Sequence, residues 1–191
     1  MAYSRGIRLE DETSKTIIAT AAQIARREGM EELTVKRVLT ELKVSNRVFY
    51  NRFRNIDDVI QVLYEDLVQE IRSSLERVQQ PAQSYPDYLL ELAVAAVEKI
   101  YQNTLHFKQY LFSYQVANDT NRDWWLKKIQ QLLRRGMEQG ELKVNDPVKM
   151  SYGVWCFCLG FHRDAVGDEL TEQEAMDAFR EAFSCLIQGM L

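Results

Sequence analysis

Three prolines and eight glycines in 191 residues leave few places where a helix must stop. With apolar residues recurring at three- and four-residue intervals, that scarcity points to an all-helical fold. Long apolar runs are missing too. None approaches the ~20 residues of a membrane span, and the opening MAYSRGIRLE lacks the apolar core of a signal peptide. The expectation is a soluble, cytoplasmic protein with no membrane partner. Cysteine is scarce and odd in number: Cys156, Cys158 and Cys185 sit in apolar surroundings, which suits reduced core thiols rather than a disulfide framework. Only two histidines are present, and no nucleophile elbow, P-loop or dinucleotide fingerprint occurs. Catalysis and a cofactor are therefore not expected. Cys156 and Cys158 project from nearly opposite helix faces. Cys158 and His162 are spaced i, i+4, but two ligands do not make a metal site, so none is expected.

What is present is an uneven distribution of charge. The chain sums to −4, yet residues 1–56 carry eleven Lys/Arg against seven Asp/Glu, and the remainder carries thirteen against twenty-one. A basic head on an acidic body fits a small anion-binding module joined to something with another task. The 46% hydrophobic content is enough for a sizeable core.

Local patterns define the head. Ile17, Ile18, Ala21, Ile24 and Ala25 share one helical face, Asp11 or Thr13 caps its start, and Gly29 ends it. Thr34 as N-cap puts Leu33 and Val38 at the positions of a hydrophobic staple. Ser45 as N-cap repeats the device with Val44 and Phe49. Two short stapled helices separated by three or four residues form a helix-turn-helix. A fourth helix starts near Asn55, with Asp57 and Asp58 in its first turn, and its apolar stripe runs toward Val78. Further helices are expected at about 86–102, 105–117, 121–139, 147–166 and 171–189, which makes about nine in all. Gly136 and Gly140 mark the end of the third of these, and Asp146-Pro147 the start of the fourth.

The third helix, in VSNRVFYNRF, has two faces. At 100° per residue, Val48, Phe49 and Phe53 fall on one side, and Asn46, Arg47, Tyr50 and Asn51 on the other. Asn pairs bidentately with adenine, Arg with guanine, and Tyr donates to phosphate, so the polar side suits a major groove. Thr34 and Ser45 place two helix N-termini nearby, and Lys36, Arg37, Arg52 and Arg54 add positive charge.

On these features residues 16–63 resemble the DNA-binding region of the TetR family of bacterial transcription regulators. The shared marks are the alanine-rich first helix ending in Gly, the Thr-Val start of the second, and Val-Ser before the third. Tyr50-x-x-Phe53 followed by an acidic helix start completes them. The resemblance implies a helix-turn-helix domain at 1–55 and an effector-binding and dimerisation domain at 56–191. It implies a repressor, less often an activator, that binds operator DNA as a homodimer under the control of a small effector. By position, Thr34 and Tyr50 would contact phosphate, Asn46 and Arg47 would face bases, and Ser45 would cap at the DNA surface. Lys36, Asn51, Arg52 and Arg54 complete the expected DNA-binding set. Three residues depart from the family pattern: Lys43 where Gly is usual, Arg47 where a small residue is common, and Ile56 where a Lys often grips phosphate. Arg52 and Arg54 are the candidates to replace that grip.

The rest of the chain carries less signal. Tyr101, Phe107, Tyr110, Tyr114 and Trp124 are the candidate walls of an effector pocket, against the plainer reading of an ordinary helical core. In the last two helices Trp155, Leu159, Ala175, Phe179, Ala182, Phe183 and Leu186 are the candidate dimer interface, with Gly153 and Gly160 allowing close approach. The rival to a DNA-binding regulator is a helical ligand-binding or protein-interaction protein with a degenerate head.

Overall fold

Asp11 and Ser14 settle where the first helix begins. The Asp11 carboxylate accepts the Ser14 amide at 2.8 Å, and Ser14 Oγ accepts the Asp11 amide at 2.9 Å. This reciprocal cap satisfies two N–H groups that a helix start leaves without partners. The computed structural model describes residues 9–102, 119–167 and 170–191, and all regular structure among them is helical. The described residues form two compact units, 9–70 and the remainder from Ile71 onward.

The first unit holds α1 (Glu12–Glu28), α2 (Val35–Leu42), α3 (Asn46–Tyr50) and most of α4 (Ile56–Ser73). Thr34 caps α2 by accepting the Arg37 amide at 3.1 Å. Ser45 occupies the N-cap of α3, but its hydroxyl makes no cap hydrogen bond, and only its carbonyl engages, accepting the Val48 amide at 3.0 Å. Asn55 caps α4 through the Asp58 amide at 3.1 Å. Ile17, Ala21, Ile24, Val38, Phe49 and Phe53 are wholly buried and form the core of this unit. The helices can be this short because packing, not propensity, stabilises them.

The tight turn between α2 and α3 falls on Lys43, whose φ of 54° and ψ of 39° are left-handed. The amides of Lys43 and Val44 both reach back to the Leu39 carbonyl, which closes the end of α2. A side chain there costs roughly 1–2 kcal/mol that glycine would not pay. Glycine also raises the entropy of the unfolded chain, so Lys43→Gly is expected to gain about 0.5–1 kcal/mol net. Urea denaturation checks this; an unchanged midpoint would show that Lys43 is accommodated without strain.

The second unit comprises the end of α4, a 3₁₀ turn at Ser74–Glu76, α5 (Tyr85–Gln102), α6 (Asp119–Glu138), α7 (Pro147–Gly167) and α8 (Glu172–Gln188). α6 lies along α7, and α5 along α8. The expected stripe of α4 toward Val78 is cut short, because the α-helix stops at Ser73 and Val78 is left 81% exposed. The expected helix at 105–117 lies outside the described residues. The two candidate end glycines divide the task. Gly140 takes a left-handed φ of 74° beyond α6, whereas a Cβ on Gly136 would lie 2.5–2.7 Å from Leu142 and the Tyr85 ring. Gly136 is thus where the end of α6 meets Tyr85. The Tyr85 hydroxyl donates to the Leu132 carbonyl at 2.6 Å.

The domain boundary expected at 55/56 and the unit boundary at 70/71 differ by most of α4. Val59, Ile60, Val62 and Leu63 are buried within the first unit, so the helix belongs structurally to the head for four turns.

Candidate nucleic-acid interface

α3 is anchored by Phe49, whose ring lies 5.5 Å from that of Phe53 and 5.5 Å, edge-on, from that of Tyr50. Burying one side of so short a helix leaves the other in solvent. Asn46, Arg47 and Asn51 are exposed, and Tyr50 is 47% exposed. Asn46 and Arg47 make no side-chain hydrogen bond among the described residues. An open concavity is lined by Thr34, Lys36, Thr40, Ser45, Asn46 and Tyr50, so the start of α2 and the face of α3 border one surface.

The remaining cations of the set are engaged. Arg52 folds back across the head: Nε donates to Asp11 at 2.8 Å, Nη2 to the other carboxylate oxygen, and Nη1 to the Val48 carbonyl at 2.8 Å. This fork ties the start of α1 to the end of α3. Its side chain is 13% exposed. Arg54 pairs with the buried Asp58 at 2.6 Å, and Asp58 also accepts the Arg54 amide at 2.8 Å. The Arg54 side chain nevertheless stays 60% exposed. Arg37 bridges Glu28 and Glu41, each at 2.7 Å, and Arg27 joins the same carboxylates. Sequence spacing gave no sign of the Asp11–Arg52 pair, because the partners are 41 positions apart.

These pairs carry a pH dependence. The Arg52 guanidinium, with the Ser14 amide, holds the Asp11 carboxyl at about 2, and Arg37 with Arg27 holds Glu28 at about 2. Both values are depressed. The stability they confer is therefore present above the ordinary 3.8 and 4.5 and is lost as pH falls toward 2. Helical content followed by circular dichroism in an acid titration is expected to decline across that window. Arg37→Gln together with Arg52→Gln should flatten the decline, and an identical profile in that variant would remove these pairs as its cause.

In the second unit a cavity of about 90 Å³ lies among α5, α6, α7 and α8. Its walls include Leu89, Leu92, Ala96 and Val97 of α5, Trp125, Lys128 and Ile129 of α6, Trp155, Cys158, Leu159 and His162 of α7, and Phe183 and Ile187 of α8. Of the expected pocket residues, Tyr101 and Trp124 do not line it. The Tyr101 hydroxyl donates to Asp164 at 2.6 Å and so ties α5 to α7. Trp124 lies beneath the Arg72 guanidinium, 4.3 Å from its ring centre. The neighbouring Trp125 faces the cavity instead, one residue being 100° around the helix. Phe107, Tyr110 and Tyr114 lie outside the described residues. Cys158 and His162 both line the wall, but among the described residues no group of three His, Cys, Asp or Glu is placed to hold a metal. Burial pushes the Cys158 thiol up to about 12 and His162 down to about 4.

The candidate dimer residues separate into two sets. Ala175, Phe179 and Phe183 are buried within the subunit, where Phe179 and Phe183 stack at 5.2 Å and meet Phe157 of α7. Trp155 and Leu159 line the cavity. Ala182 is exposed and Leu186 half-buried. The outward sides of α7 and α8 expose Tyr152, Gly153, Cys156 and Gly160, and Ala178, Ala182 and Cys185, so two of the three thiols expected in the core lie on the surface because their helix positions face away from it. Nothing among the described residues approaches Gly153 or Gly160.

A pair of short helices joined by a tight turn, the second presenting Asn46, Arg47 and Tyr50 on its outward side, makes the head a helix-turn-helix. Residues 17–63 match the family described as bacterial regulatory proteins, tetR family. Residues 17–63 are thus similar to the helix-turn-helix head of that family, and the described residues have a TetR-like fold. A transcriptional regulator of the TetR/AcrR family from Thermobifida fusca YX-ER1 is 18% identical over 91% of this chain and 97% of its own, with a TM-score of 0.73. A TetR transcription regulator from Haloarcula marismortui ATCC 43049 is 17% identical over 94% and 98%, with a TM-score of 0.71. A bacterial regulatory protein in the tetR family from Rhodococcus RHA1 is 12% identical over 93% and 98%, with a TM-score of 0.67. No curated protein matches the chain. Among the described residues no helix is long and apolar enough to cross a membrane.

Proposed function

We propose that this regulator represses transcription from the cytoplasm, binding operator DNA as a homodimer and losing or changing that affinity when a small molecule enters its second unit. The observation that carries the reading is the exposed side of α3, with Asn46 and Arg47 unengaged beside Thr34 and Lys36. In this reading Asn46 and Arg47 meet base edges, and Thr34, Lys36, Ser45, Tyr50 and Asn51 meet phosphates or the groove wall. Arg54 reaches phosphate from its half-exposed pair with Asp58, while Arg52 acts by holding α3 against α1. The effector and dimer functions fall to the second unit. Its cavity takes the effector, and the outward sides of α7 and α8 take the partner subunit, with small residues allowing close helix approach.

Binding to DNA from upstream of the protein's own gene tests this. Each phosphate neutralised should contribute a slope of about −0.9 to log affinity against log salt. A steep slope and a dimer in sedimentation at micromolar concentration are expected. A flat salt response would favour a helical ligand-binding protein with a degenerate head, and a monomer would remove the two-fold reading of the operator.

A further inference from the structure

The second-unit cavity is selective in its polar groups as well as its size. Aliphatic and aromatic side chains make most of the wall, and among the described residues the lining holds no aspartate or glutamate. Among the described residues of the lining, Trp125, Lys128, Cys158 and His162 carry N–H, ammonium, thiol or imidazole groups. Burial keeps Cys158 protonated and His162 neutral near pH 7, so neither brings a charge. Among the described residues of the lining Lys128 is the one lysine, arginine, aspartate or glutamate, and it has no ion-pair partner among them. Trp125 Nε1 is buried and has no acceptor among the described residues. A buried N–H without an acceptor is costly, and a ligand oxygen beside it would relieve that cost.

We propose that the cavity binds a compact hydrophobic carboxylate, its ring or short chain against Leu92, Val97 and Leu159 and its carboxylate shared by Trp125 Nε1 and the Lys128 ammonium. The proposal rests on the reading that this cavity is the effector site. Its size sets the upper limit. At about 90 Å³ it encloses one ring or a short branched chain, well below the ~300–1,000 Å³ of sites for drug-sized molecules. Its charge sets the sign. A cation would enter an apolar wall and meet another cation, while a carboxylate finds both an opposite charge and a waiting donor. Lys128 is half-buried, as suits a side chain whose apolar stem borders a wall of this kind.

The full-length protein, titrated with benzoate, hexanoate, benzyl alcohol and benzylamine, tests the assignment by calorimetry and by the fluorescence of Trp125 and Trp155. The two carboxylates are expected to bind about tenfold or more tightly than the alcohol or the amine, as a charge-assisted hydrogen bond implies. Lys128→Met should bring benzoate down to the level of benzyl alcohol while leaving thermal stability unchanged. Ala93→Leu, which fills the cavity, should weaken all the compounds that bind. Equal binding of benzylamine, no binding of either carboxylate at millimolar concentration, or an unaltered benzoate affinity in Lys128→Met overturns the proposal. Carboxylate binding that leaves operator affinity unchanged upholds the ligand class and removes the effector reading. Release of DNA by an amine or alcohol, with no carboxylate response, removes the ligand class and keeps the effector reading.

Discussion

Phe49→Ala is expected to destabilise the head by about 3–5 kcal/mol, the range for truncating a buried phenylalanine, and to abolish operator binding at ordinary protein concentrations. Phe49 is wholly buried, stacks near Phe53 and touches the ring of Tyr50. It is the principal anchor of a five-residue helix that has no side-chain cap. Isolated helices of that length do not persist in water, so α3 exists only because Phe49 fixes it to the core. Its loss would remove the recognition surface without touching any polar residue on that surface. The two units need not unfold together, so the measurement should separate them. Hydrogen exchange resolved by segment is expected to show faster exchange through residues 12–53 and little change in α5 to α8. Uniform loss of protection across the chain would mean the units fold as one. Retained operator affinity would mean that α3 is held by something other than this ring.

The expectations that survived came from local rules. Thr34, Asn55, Asp146, Gly29 and Gly140 mark helix boundaries by hydrogen bonds to residues within a turn, so the sequence alone places them closely. Asp146, for instance, accepts the Val148 and Lys149 amides at 3.0 and 3.1 Å. The division of α3 into buried and exposed sides was likewise legible, since it needs only the helical period. What was not legible depends on distant partners. Arg52 reads as a free cation until the chain brings Asp11 to it from the start of α1. The aromatic residues read as a pocket wall, but among the described residues the cavity's wall is mostly aliphatic and draws on four helices, and an offset of one residue exchanges Trp124 for Trp125. The broad apolar face of α8 reads as a dimer surface, yet Ala175, Phe179 and Phe183 bury it inside the subunit. A helix that needs a partner does not state whether the partner is its own chain.

Arg47 and Arg52 stand five residues apart and are expected to fail in different ways when truncated. Arg47→Ala should leave stability unchanged, because the side chain is exposed and makes no hydrogen bond among the described residues. If it pairs with a base, the loss should be about 1–3 kcal/mol on the preferred operator and much smaller on DNA altered at the contacted position. Sequence preference would then relax at that position alone. Tyr50→Phe should instead weaken all sequences about equally and make the salt slope shallower by about one unit, the signature of a phosphate contact. Arg52→Ala should lower stability first, since it leaves Asp11 without its guanidinium partner and the Val48 carbonyl without its donor. Any loss of DNA affinity in that variant should be restored by a stabilising change elsewhere in the head, such as Lys43→Gly. Competition binding with single-base operator variants distinguishes the cases. An Arg47→Ala protein that keeps the wild-type preference at every position would take Arg47 off the bases, leaving Asn46 as the remaining reader on α3.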